Sequence, residues 1–401
     1  MSILRAAFPV GLLILALPAH AADPCTNAND FPAWMAAFKQ EAAQSGISQK
    51  TIDTALKGVT MDPATISRDR KQSFYWQDFM TFSTRLATQD RLTRGRKKLA
   101  TESKLFARIE SEFGVPGPVI AAFWALESDF GLAQGKMPIL RSLATLAWDC
   151  RRGPMFREQL LDALRVVDRG DLRPAEMVGS WAGELGQMQF LPSHYLDHGV
   201  DYDGNGKVNL LTSTPDVTAS TAKYLQHIGW RRGEPWLEEV RAPREMDWRE
   251  ADLSIRKSRS TWVKLGVTRP DGTALPAGDI EAALLLPMGR FGPAFLAYPN
   301  FDAYLEWNES LNYAITAAYL ARRIAGDPPM RKGNGTPPVF DLAGIERLQR
   351  LLAGAGYEVG KVDGKLGAAT RAAVRQAQIR FQLPADAYPS HDLLTRLSAG
   401  R

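Results

Sequence analysis

The sequence lacks the features of a membrane-spanning protein and of a nucleic-acid-binding protein. No apolar run in its 401 residues reaches the roughly 20 residues that a membrane-spanning helix needs, so we expect no membrane anchor. The net charge is only +5, and Lys and Arg are interspersed with acidic residues instead of being clustered. We therefore expect no nucleic-acid binding, because proteins of that class concentrate basic residues on one surface.

Cysteine is also scarce, since only Cys25 and Cys150 are present. The N-terminus has a basic residue, an apolar run over residues 6–18 and the small-x-small pattern AHA, which is typical of a secretory signal peptide. We predict a signal peptide at 1–21 and an exported protein. In an oxidising compartment we favour one disulfide between the two cysteines, although the sequence alone does not show that they meet.

Most of residues 30–325 have apolar residues at intervals of three and four, which predicts a mainly α-helical fold. A stretch near 252–289 alternates apolar and polar residues, and we expect it to add a small β element. Residues 328–339 are rich in Gly and Pro and predict a linker. The remaining residues, 340–401, form a unit of about sixty residues, near the lower size limit for independent folding.

The stretch AFWALESDFG (122–131) places the carboxyl group of Glu127 in an apolar helix. Phe123 and Trp124 lie one turn before Glu127 and share its face. Because apolar surroundings disfavour the charged form, we expect the pKa of Glu127 to be raised. A carboxylic acid that keeps its proton near neutral pH can protonate a leaving oxygen, as a glycosidase acid does. For this segment alone, a structural glutamate held by an arginine is the alternative.

The segment GSWAGELGQMQFLPSHY (179–195) combines three closely spaced glycines with polar and aromatic side chains. Glycines allow a ligand to approach the backbone closely. A sugar ring has an apolar face and a polar rim, so it fits aromatic rings mixed with hydrogen-bonding groups. Together with AFWALESDFG, the segment favours a sugar-binding groove over a set of simple turns.

These two segments and FDAYLEWNESLNYA (301–314) resemble, in order, the signature segments of the lytic murein transglycosylase B family, glycoside hydrolase family 103. The resemblance implies a lysozyme-like catalytic domain, here 22–327. Members cleave the β-1,4 bond between N-acetylmuramic acid and N-acetylglucosamine in peptidoglycan without water and leave a 1,6-anhydro end. We therefore expect a periplasmic enzyme that acts on peptidoglycan glycan strands, and we expect it to be a monomer.

The resemblance also implies a role for individual residues. Glu127 would act first as the acid and then as the base, while the acetamido group of the substrate replaces an enzyme nucleophile. Trp307 stands where the family has a tyrosine, so we expect only a stacking role there. Six further residues are implied to hold the sugar or to line the groove: Ser180, Gln189, Tyr224, Asn308, Ser310 and Tyr313.

Two alternatives to a transglycosylase remain from the sequence. A hydrolytic muramidase on the same scaffold would need a second carboxylate flanking the bond. Glu184 is the candidate, although the resemblance places a non-acidic residue at its position. A non-catalytic wall-binding protein is the other alternative, and it predicts that Glu127 is dispensable.

The stretch DYDGNGKVNLLTSTPD (201–216) has oxygen-bearing residues at alternate positions, as in the first half of an EF-hand calcium loop. Gly206 occupies the sixth position, where that loop turns sharply. The twelfth residue is Thr212 instead of Glu, so the last carboxylate would come from Asp216. A turn rich in Asp and Asn without a metal is the alternative. We expect a structural Ca²⁺, not needed for the chemistry, with these ligands: Asp201, Asp203, Asn205, Lys207 through its carbonyl, and Asp216.

The C-terminal residues 340–401 resemble the type 1 peptidoglycan-binding domain, which is a small three-helix unit. Its implied role is to raise the local concentration of glycan at the catalytic groove. The resemblance rests on these residues: Leu348, Gln349, Tyr357, Val362, Asp363, Gly364, Gly367, Thr370 and Phe381.

Overall fold

A computed structural model of the protein describes residues 30–71 and 77–400. The predicted signal peptide, and Cys25 with its predicted disulfide, lie outside these residues. None of the helices in the described part of the chain is long and apolar enough to cross a membrane.

The described residues contain seventeen α-helices and six β-strands. The helices are α1 (Phe31–Gln44), α2 (Gln49–Ala55), α3 (Pro63–Arg70), α4 (Phe79–Leu86), α5 (Gln89–Thr101), α6 (Ser103–Phe113), α7 (Gly117–Ser128), α8 (Ile139–Trp148), α9 (Gly153–Arg169), α10 (Pro192–His198), α11 (Thr214–His227), α12 (Arg259–Lys264), α13 (Phe301–Trp307), α14 (Leu311–Ala325), α15 (Leu342–Gly354), α16 (Ala368–Arg380) and α17 (His391–Ser398). The strands are β1 (Met137–Pro138), β2 (Val178–Gly179), β3 (Leu237–Val240), β4 (Arg256–Ser258), β5 (Glu281–Leu285) and β6 (Ala294–Ala297). The predicted mainly helical fold is confirmed.

Helix α7 is the central element of the larger, N-terminal part. It begins after Pro116, and every residue from Val119 to Ala125 is buried. It packs against α5, α6, α11 and α14. A helix that is apolar around its whole circumference belongs to a core. The helix ends at Ser128, and the next residue, Asp129, has a φ of 56°, which places its backbone in the left-handed region. Glu127 therefore stands on the last turn, at the edge of the core.

A four-stranded antiparallel sheet follows, with strand order β3–β6–β5–β4. Successive side chains of a strand point to opposite faces. Accordingly, Leu285 and Phe295 join the main helical core, whereas Leu284 and Leu296 join a second core around the fully buried Trp262. The prediction of a small β element near 252–289 is confirmed, and β3 and β6 extend it beyond that stretch.

The C-terminal unit consists of α15, α16 and α17, as expected for a three-helix unit. Its interior contains the buried side chain of Gln349. The Gln349 amide donates to the carbonyls of Lys361 and Lys365, and its oxygen accepts from the backbone N–H groups of Asp363 and Gly364. Buried amides need such complete pairing. Several residues that carry the resemblance to the wall-binding family therefore hold the fold itself.

The predicted linker contains no helix or strand among its described residues, 328–339, and it lies against the larger part of the protein. The Arg331 N–H donates to Glu239 Oε1 at 2.7 Å, and the Asn334 side chain donates to the Ala242 carbonyl at 2.9 Å. The Gly335 N–H donates to the Phe291 carbonyl at 3.0 Å. We call residues 328–339 the strap, because these bonds hold it across the edge of the sheet.

Helix α16 of the C-terminal unit also contacts the larger part of the protein. The guanidinium group of Arg371 donates to the carbonyls of Leu286 and Pro287. Arg375 donates to the Ala251 carbonyl at 2.6 Å and forms an ion pair with Asp252 at 2.9 Å. The C-terminal unit is therefore packed against the sheet-bearing region.

Candidate active site

Glu127 lies among aromatic rings and keeps only part of its surface exposed. The ring of Trp307 stacks on that of Phe123, with centroids 4.2 Å apart. Phe190 and Tyr224 lie beside Trp307, at 5.8 and 5.3 Å between centroids. Residues from α7, α11, α13 and the glycine-rich segment thus form one aromatic wall around the carboxyl group, as the two sequence segments predicted.

The two oxygens of Glu127 have different surroundings. Oε1 accepts hydrogen bonds from the Tyr313 hydroxyl and from Trp307 Nε1, the latter at 2.8 Å. No donor among the described residues bonds to Oε2. An oxygen that already accepts two hydrogen bonds is a poor place for a proton, so the acidic proton of Glu127 belongs on Oε2.

Burial raises the pKa of Glu127 to about 7. The hydrogen bonds from Tyr313 and Trp307 oppose this increase because they stabilise the carboxylate, while the negative charge of Glu184 adds to it. Burial also raises the pKa of Tyr313 well above its usual value, so its hydroxyl remains a donor. Glu127 can therefore release and take up a proton near neutral pH.

Asp129, two residues further, has the opposite environment. Its Oδ1 is paired with Arg91 Nε at 3.1 Å and with Arg94 Nη2 at 2.5 Å. Partial burial raises the pKa of Asp129, but the hydrogen bonds from the two arginines outweigh it and lower the pKa overall. The arginine-held carboxylate of this segment is thus Asp129, whereas Glu127 forms no ion pair with an arginine among the described residues.

The glycine-rich segment is joined to α7 by Gln187, which the sequence analysis did not single out. Gln187 Oε1 accepts from Trp124 Nε1 at 2.7 Å, and its Nε2 donates to the Leu211 carbonyl at 2.8 Å. The Ser128 hydroxyl donates to the Gln187 carbonyl at 2.5 Å. Gln187 therefore fixes the segment against the helix that carries Glu127. Its position two residues before the predicted Gln189 was the only signal in the sequence.

The glycines of the segment are required by the protein rather than by a ligand. A Cβ atom at Gly186, where φ is 76°, would lie 2.6 Å from the Leu210 carbonyl oxygen. A Cβ atom at Gly179 or Gly183 would collide with Glu184 or Leu143. The expectation that these glycines leave room for a ligand is therefore wrong, because neighbouring protein atoms fill that space.

Ser180 and Gln189, both predicted to bind sugar, bond within the protein. The Ser180 hydroxyl donates to Glu184 Oε2 at 2.8 Å and accepts from the N–H groups of Ala182 and Glu184. Gln189 Nε2 donates to the carbonyls of Gly186 and Gln134, which leaves its side-chain oxygen without a donor among the described residues. A sugar contact by either residue stays a prediction, with Gln189 Oε1 as the better placed acceptor.

Asn308 and Ser310 lie at the corner between α13 and α14. Asn308 Oδ1 accepts from the Ser310 N–H at 2.9 Å, and the Ser310 hydroxyl caps α14 by accepting from the Tyr313 N–H at 3.4 Å. The corner thereby positions both Trp307 and Tyr313, the two donors to Glu127. Direct sugar contacts by Asn308, Ser310 and Tyr224 remain predictions.

Trp307 is the residue whose role the sequence analysis missed. A stacking role was expected, because an indole replaces the hydroxyl of a tyrosine. The structure places its N–H on Glu127, so a donor is retained at this position. The contact joins residues 180 positions apart in the sequence, and no local pattern reports it.

The oxygen-rich loop brings together Asp201, Asp203 and Asp216, each of which offers one carboxylate oxygen within 4.8 Å of the others. Asp216 is fully buried, and its two oxygens accept the N–H groups of Tyr202 and Asn209 at 2.8 Å each. Burial and the charge of Asp203 raise the pKa of Asp216. Leu210 and Leu211 belong to the same loop, and their carbonyls accept hydrogen bonds from the backbone and the side chain of Gln187. The loop is therefore coupled to the groove.

Two family models match the sequence. The transglycosylase SLT domain matches residues 30–322, which is more than half of the chain, and a peptidoglycan binding domain matches residues 342–397. Among curated proteins, the membrane-bound lytic murein transglycosylase B of Escherichia coli K12 is 30% identical over 216 residues. That match covers 53% of this chain and 58% of the relative, so the similarity spans little more than half of the relative's length.

Solved structures share the fold. SltB3 of Pseudomonas aeruginosa, in complex with NAG-anhNAM-pentapeptide, is 38% identical with a TM-score of 0.86, and the match covers 92% of this chain and 100% of SltB3. The E. coli lytic transglycosylase Slt35, in complex with calcium, is 23% identical with a TM-score of 0.61, and the match covers 78% of this chain and 98% of Slt35. The likeness to Slt35 is one of fold.

Proposed function

The chain belongs to the transglycosylase SLT domain family, and we propose that it is a lytic transglycosylase of peptidoglycan. It would cleave the β-1,4 bond between MurNAc and GlcNAc without water and leave 1,6-anhydro-MurNAc ends. The observation that carries this proposal is Glu127, a carboxyl group with a pKa of about 7 and one oxygen that accepts from no donor among residues 30–71 and 77–400. The similarity to SltB3, whose complex contains an anhydro sugar, supports it.

In the proposed reaction, Glu127 serves twice. Oε2 first gives its proton to the glycosidic oxygen as the bond from that oxygen to C1 of MurNAc breaks. The acetamido group of the substrate supports the electron-poor C1. The Glu127 carboxylate then takes the proton of the MurNAc 6-hydroxyl, and O6 bonds to C1. Tyr313 and Trp307 hold Oε1 throughout, so that the acid and the base act from one position.

A hydrolytic muramidase is the second candidate, because Glu184 is close enough to Glu127 for its charge to raise the pKa of Glu127. A second catalytic carboxylate would have to be ionised. Burial raises the pKa of Glu184, while the hydrogen bond from Ser180 and the charge of Arg152 lower it, and the net shift is upward. One oxygen of Glu184 is already engaged by the Ser180 hydroxyl within the protein, and this favours the transglycosylase.

The mass of the digestion products tests the choice between the two reactions. Purified peptidoglycan treated with the wild-type protein should yield anhydro-muramic products, each lighter by one water than the product of hydrolysis. Products with a reducing MurNAc end from the wild type would refute the proposal, and Glu184→Gln should leave the anhydro products unchanged.

Replacement of Glu127 by Gln tests the catalytic residue. The amide has no acidic proton, so we expect the rate of product formation to fall by at least about a hundredfold, because general acid–base catalysis commonly contributes 10²–10⁴-fold. The variant should remain folded. A carboxyl group whose pKa is raised by folding destabilises the folded state as pH rises toward and through that raised pKa. At pH 8, Glu127→Gln should therefore melt at the same temperature as the wild type or at a higher one. Normal turnover by the variant would refute the assignment.

We propose that the loop of residues 201–216 holds a structural Ca²⁺. Its donors are oxygen atoms, as Ca²⁺ prefers, and a cation would offset the repulsion of three carboxylates within 4.8 Å. The ion would be held by the carboxylates of the three aspartates, the side chain of Asn205 and the carbonyl of Lys207. Bound there, it would stiffen the loop that supports Gln187.

Thermal unfolding tests the calcium site. Excess Ca²⁺ should raise the melting temperature of the wild type, because a ligand that binds only the folded state stabilises it. Asp203→Asn should largely abolish the shift, whereas Asp341→Asn, on the C-terminal unit, should keep it. An unchanged melting temperature of the wild type with Ca²⁺ and with a chelator would show that the loop binds no calcium.

We further propose that residues 1–21 direct export to the periplasm, that residues 22–327 form the catalytic domain and that residues 340–401 bind peptidoglycan as part of a monomer. The match of residues 342–397 to a peptidoglycan binding domain supports the last assignment. Cell fractionation tests the export, gel filtration tests the monomeric state, and pull-down of the chain on insoluble peptidoglycan tests the binding. Activity of a protein truncated after residue 327 tests the catalytic domain.

A further inference from the structure

The strap closes a cavity against the sheet, away from the residues around Glu127. The cavity measures about 250 Å³, and it is lined by the edge strand β3 with the residues after it, by the segment 292–294 and by the strap. Gly333 of the strap packs so closely on Gly292 that a Cβ atom there would collide with its carbonyl. This contact and the three hydrogen bonds of the strap make the cavity a fixed part of the fold.

Three arginines line this cavity: Arg241, Arg244 and Arg331. Within the described part of the chain, no carboxylate oxygen lies within 4.0 Å of any of their guanidinium nitrogens. Glu239 is the one acidic residue of the lining, and its Oε1 already accepts the Arg331 N–H. Burial raises the pKa of Glu239, while the N–H and the charge of Arg331 lower it, and the net shift is upward. Like charges held around one cavity repel each other, and an anion would relieve that repulsion.

The chemistry of the lining selects a planar oxyanion. Guanidinium groups bind carboxylates through paired, parallel N–H···O bonds. The side chain of Asn334 also lines the cavity, next to the arginines. The volume is below that of a typical pocket for a drug-sized molecule, so the cavity can hold the end of a peptide but not a whole one.

A peptide attached to the bound glycan is long enough to reach the cavity that adjoins the arginine cavity. Helix α14 runs from Tyr313, which bonds to Glu127, to Arg322, which lines an adjoining cavity that shares Glu239 and Pro270 with the arginine cavity. Nine residues of helix span about 14 Å, and an extended peptide of five residues spans about 17 Å. The two lengths are comparable.

We propose that the cavity lined by Arg241, Arg244 and Arg331 binds a carboxylate of the peptides that peptidoglycan carries on MurNAc. This inference rests on the proposed function, since it assigns a second contact to the same substrate. The cavity would then favour glycan that still bears its peptides.

Direct binding tests the site independently of turnover. The probe is the five-residue peptide released from peptidoglycan by an amidase, titrated calorimetrically into full-length protein with Glu127→Gln. Adding Arg241→Ala and Arg244→Ala should weaken binding by about tenfold or more, because charge-assisted hydrogen bonds are about twice as strong as neutral ones. Arg68→Ala, an exposed arginine of α3, should leave binding unchanged. Absence of peptide binding, or equal binding by the double variant, would overturn the proposal.

Competition with inorganic phosphate identifies the anion. If phosphate at the concentration of the peptide displaces it completely, the cavity is a general oxyanion site and the assignment to the peptide is wrong. Persistence of peptide binding in that phosphate supports the assignment.

Turnover of two substrates separates this proposal from the proposed function. With peptide-bearing peptidoglycan, the variant carrying Arg241→Ala and Arg244→Ala on the wild-type background should show a KM raised by about tenfold and an unchanged kcat. With glycan strands stripped of peptides, it should match the wild type. Equal losses on both substrates would overturn the peptide site, whereas a wild type inactive on both would refute the enzyme assignment and leave the calorimetric result standing.

Discussion

Two carboxyl groups two residues apart illustrate how surroundings decide chemistry at the scale of a residue. Burial raises the pKa of Glu127 to about 7, and the hydrogen bonds from Arg94 and Arg91 bring the pKa of Asp129 below its usual value. Both groups belong to the motif ALESDFG, and the sequence alone distinguishes them only through helical geometry. The environment of Glu127 was predictable because Phe123 and Trp124 are neighbours in sequence. The arginines of α5 were not, since they approach Asp129 from another helix.

Replacement of Trp307 by Phe should separate hydrogen bonding from stacking. Phe retains an aromatic ring against Phe123 but removes the N–H that stabilises the Glu127 carboxylate. Without that donor the pKa of Glu127 should rise, so the decline of kcat/KM on the basic side of the pH profile should move to higher pH. We expect kcat to fall by roughly tenfold, the equivalent of a charged hydrogen bond of about 1.5 kcal/mol.

The control for this experiment is Trp34→Phe, which changes a stacked tryptophan of α1. It should leave both kcat and the pH profile unchanged. An unmoved basic limb in Trp307→Phe would mean that the indole N–H has no influence on the acid.

At the scale of an element, the groove depends on how α7 is joined to the segment 179–190. The helices, the small sheet and the acid were predictable because hydrophobic periodicity and helix-ending residues are local signals. The joint was not, since Gln187 bonds to Trp124 across 63 positions and to Leu211 across 24. The close packing around Gly183 and Gly186 was not predictable either, because their neighbours Leu143 and Leu210 are distant in sequence.

Replacement of Gln187 by Leu should destabilise this joint. Leu has a similar size but leaves the buried Trp124 N–H without its partner, and it removes one of the two side-chain donors to the Leu211 carbonyl, the other being Gln134. An unsatisfied buried group costs about 1–3 kcal/mol. We expect the free energy of unfolding in urea to fall by about 2 kcal/mol or more. Gln226→Leu, at an exposed position of α11, should change it by less than about 0.5 kcal/mol. Equal effects of the two substitutions would contradict this role of Gln187.

At the scale of the whole molecule, the predicted linker and the wall-binding unit are packed against the rest of the protein. Glycine and proline in residues 328–339 predict the absence of helix and strand, which the structure shows. Composition could not predict the contacts of the strap, because they depend on carbonyls and carboxylates of the sheet region. The sequence likewise does not indicate that Arg371 and Arg375 of α16 bond to the larger part of the protein.

Arg371→Ala combined with Arg375→Ala should release the C-terminal unit. The two side chains provide the hydrogen bonds of α16 to Leu286, Pro287 and Ala251. Without them we expect faster proteolytic cleavage within 328–339 and a larger radius of gyration in solution scattering. Arg350→Ala with Arg396→Ala, on the exposed surface of the same unit, should match the wild type. Identical cleavage rates in all three proteins would show that the arginines do not hold the unit.

The unequal oxygens of Glu127 impose an order of events on the proposed reaction. Oε1 is engaged by Trp307 and Tyr313, so one atom, Oε2, has to meet two successive partners. The departing GlcNAc hydroxyl and the MurNAc 6-hydroxyl cannot occupy the space beside it at the same time. The severed half of the strand therefore has to move aside before the ring can close, and a strand that lingers in the groove would delay the second half of the cycle.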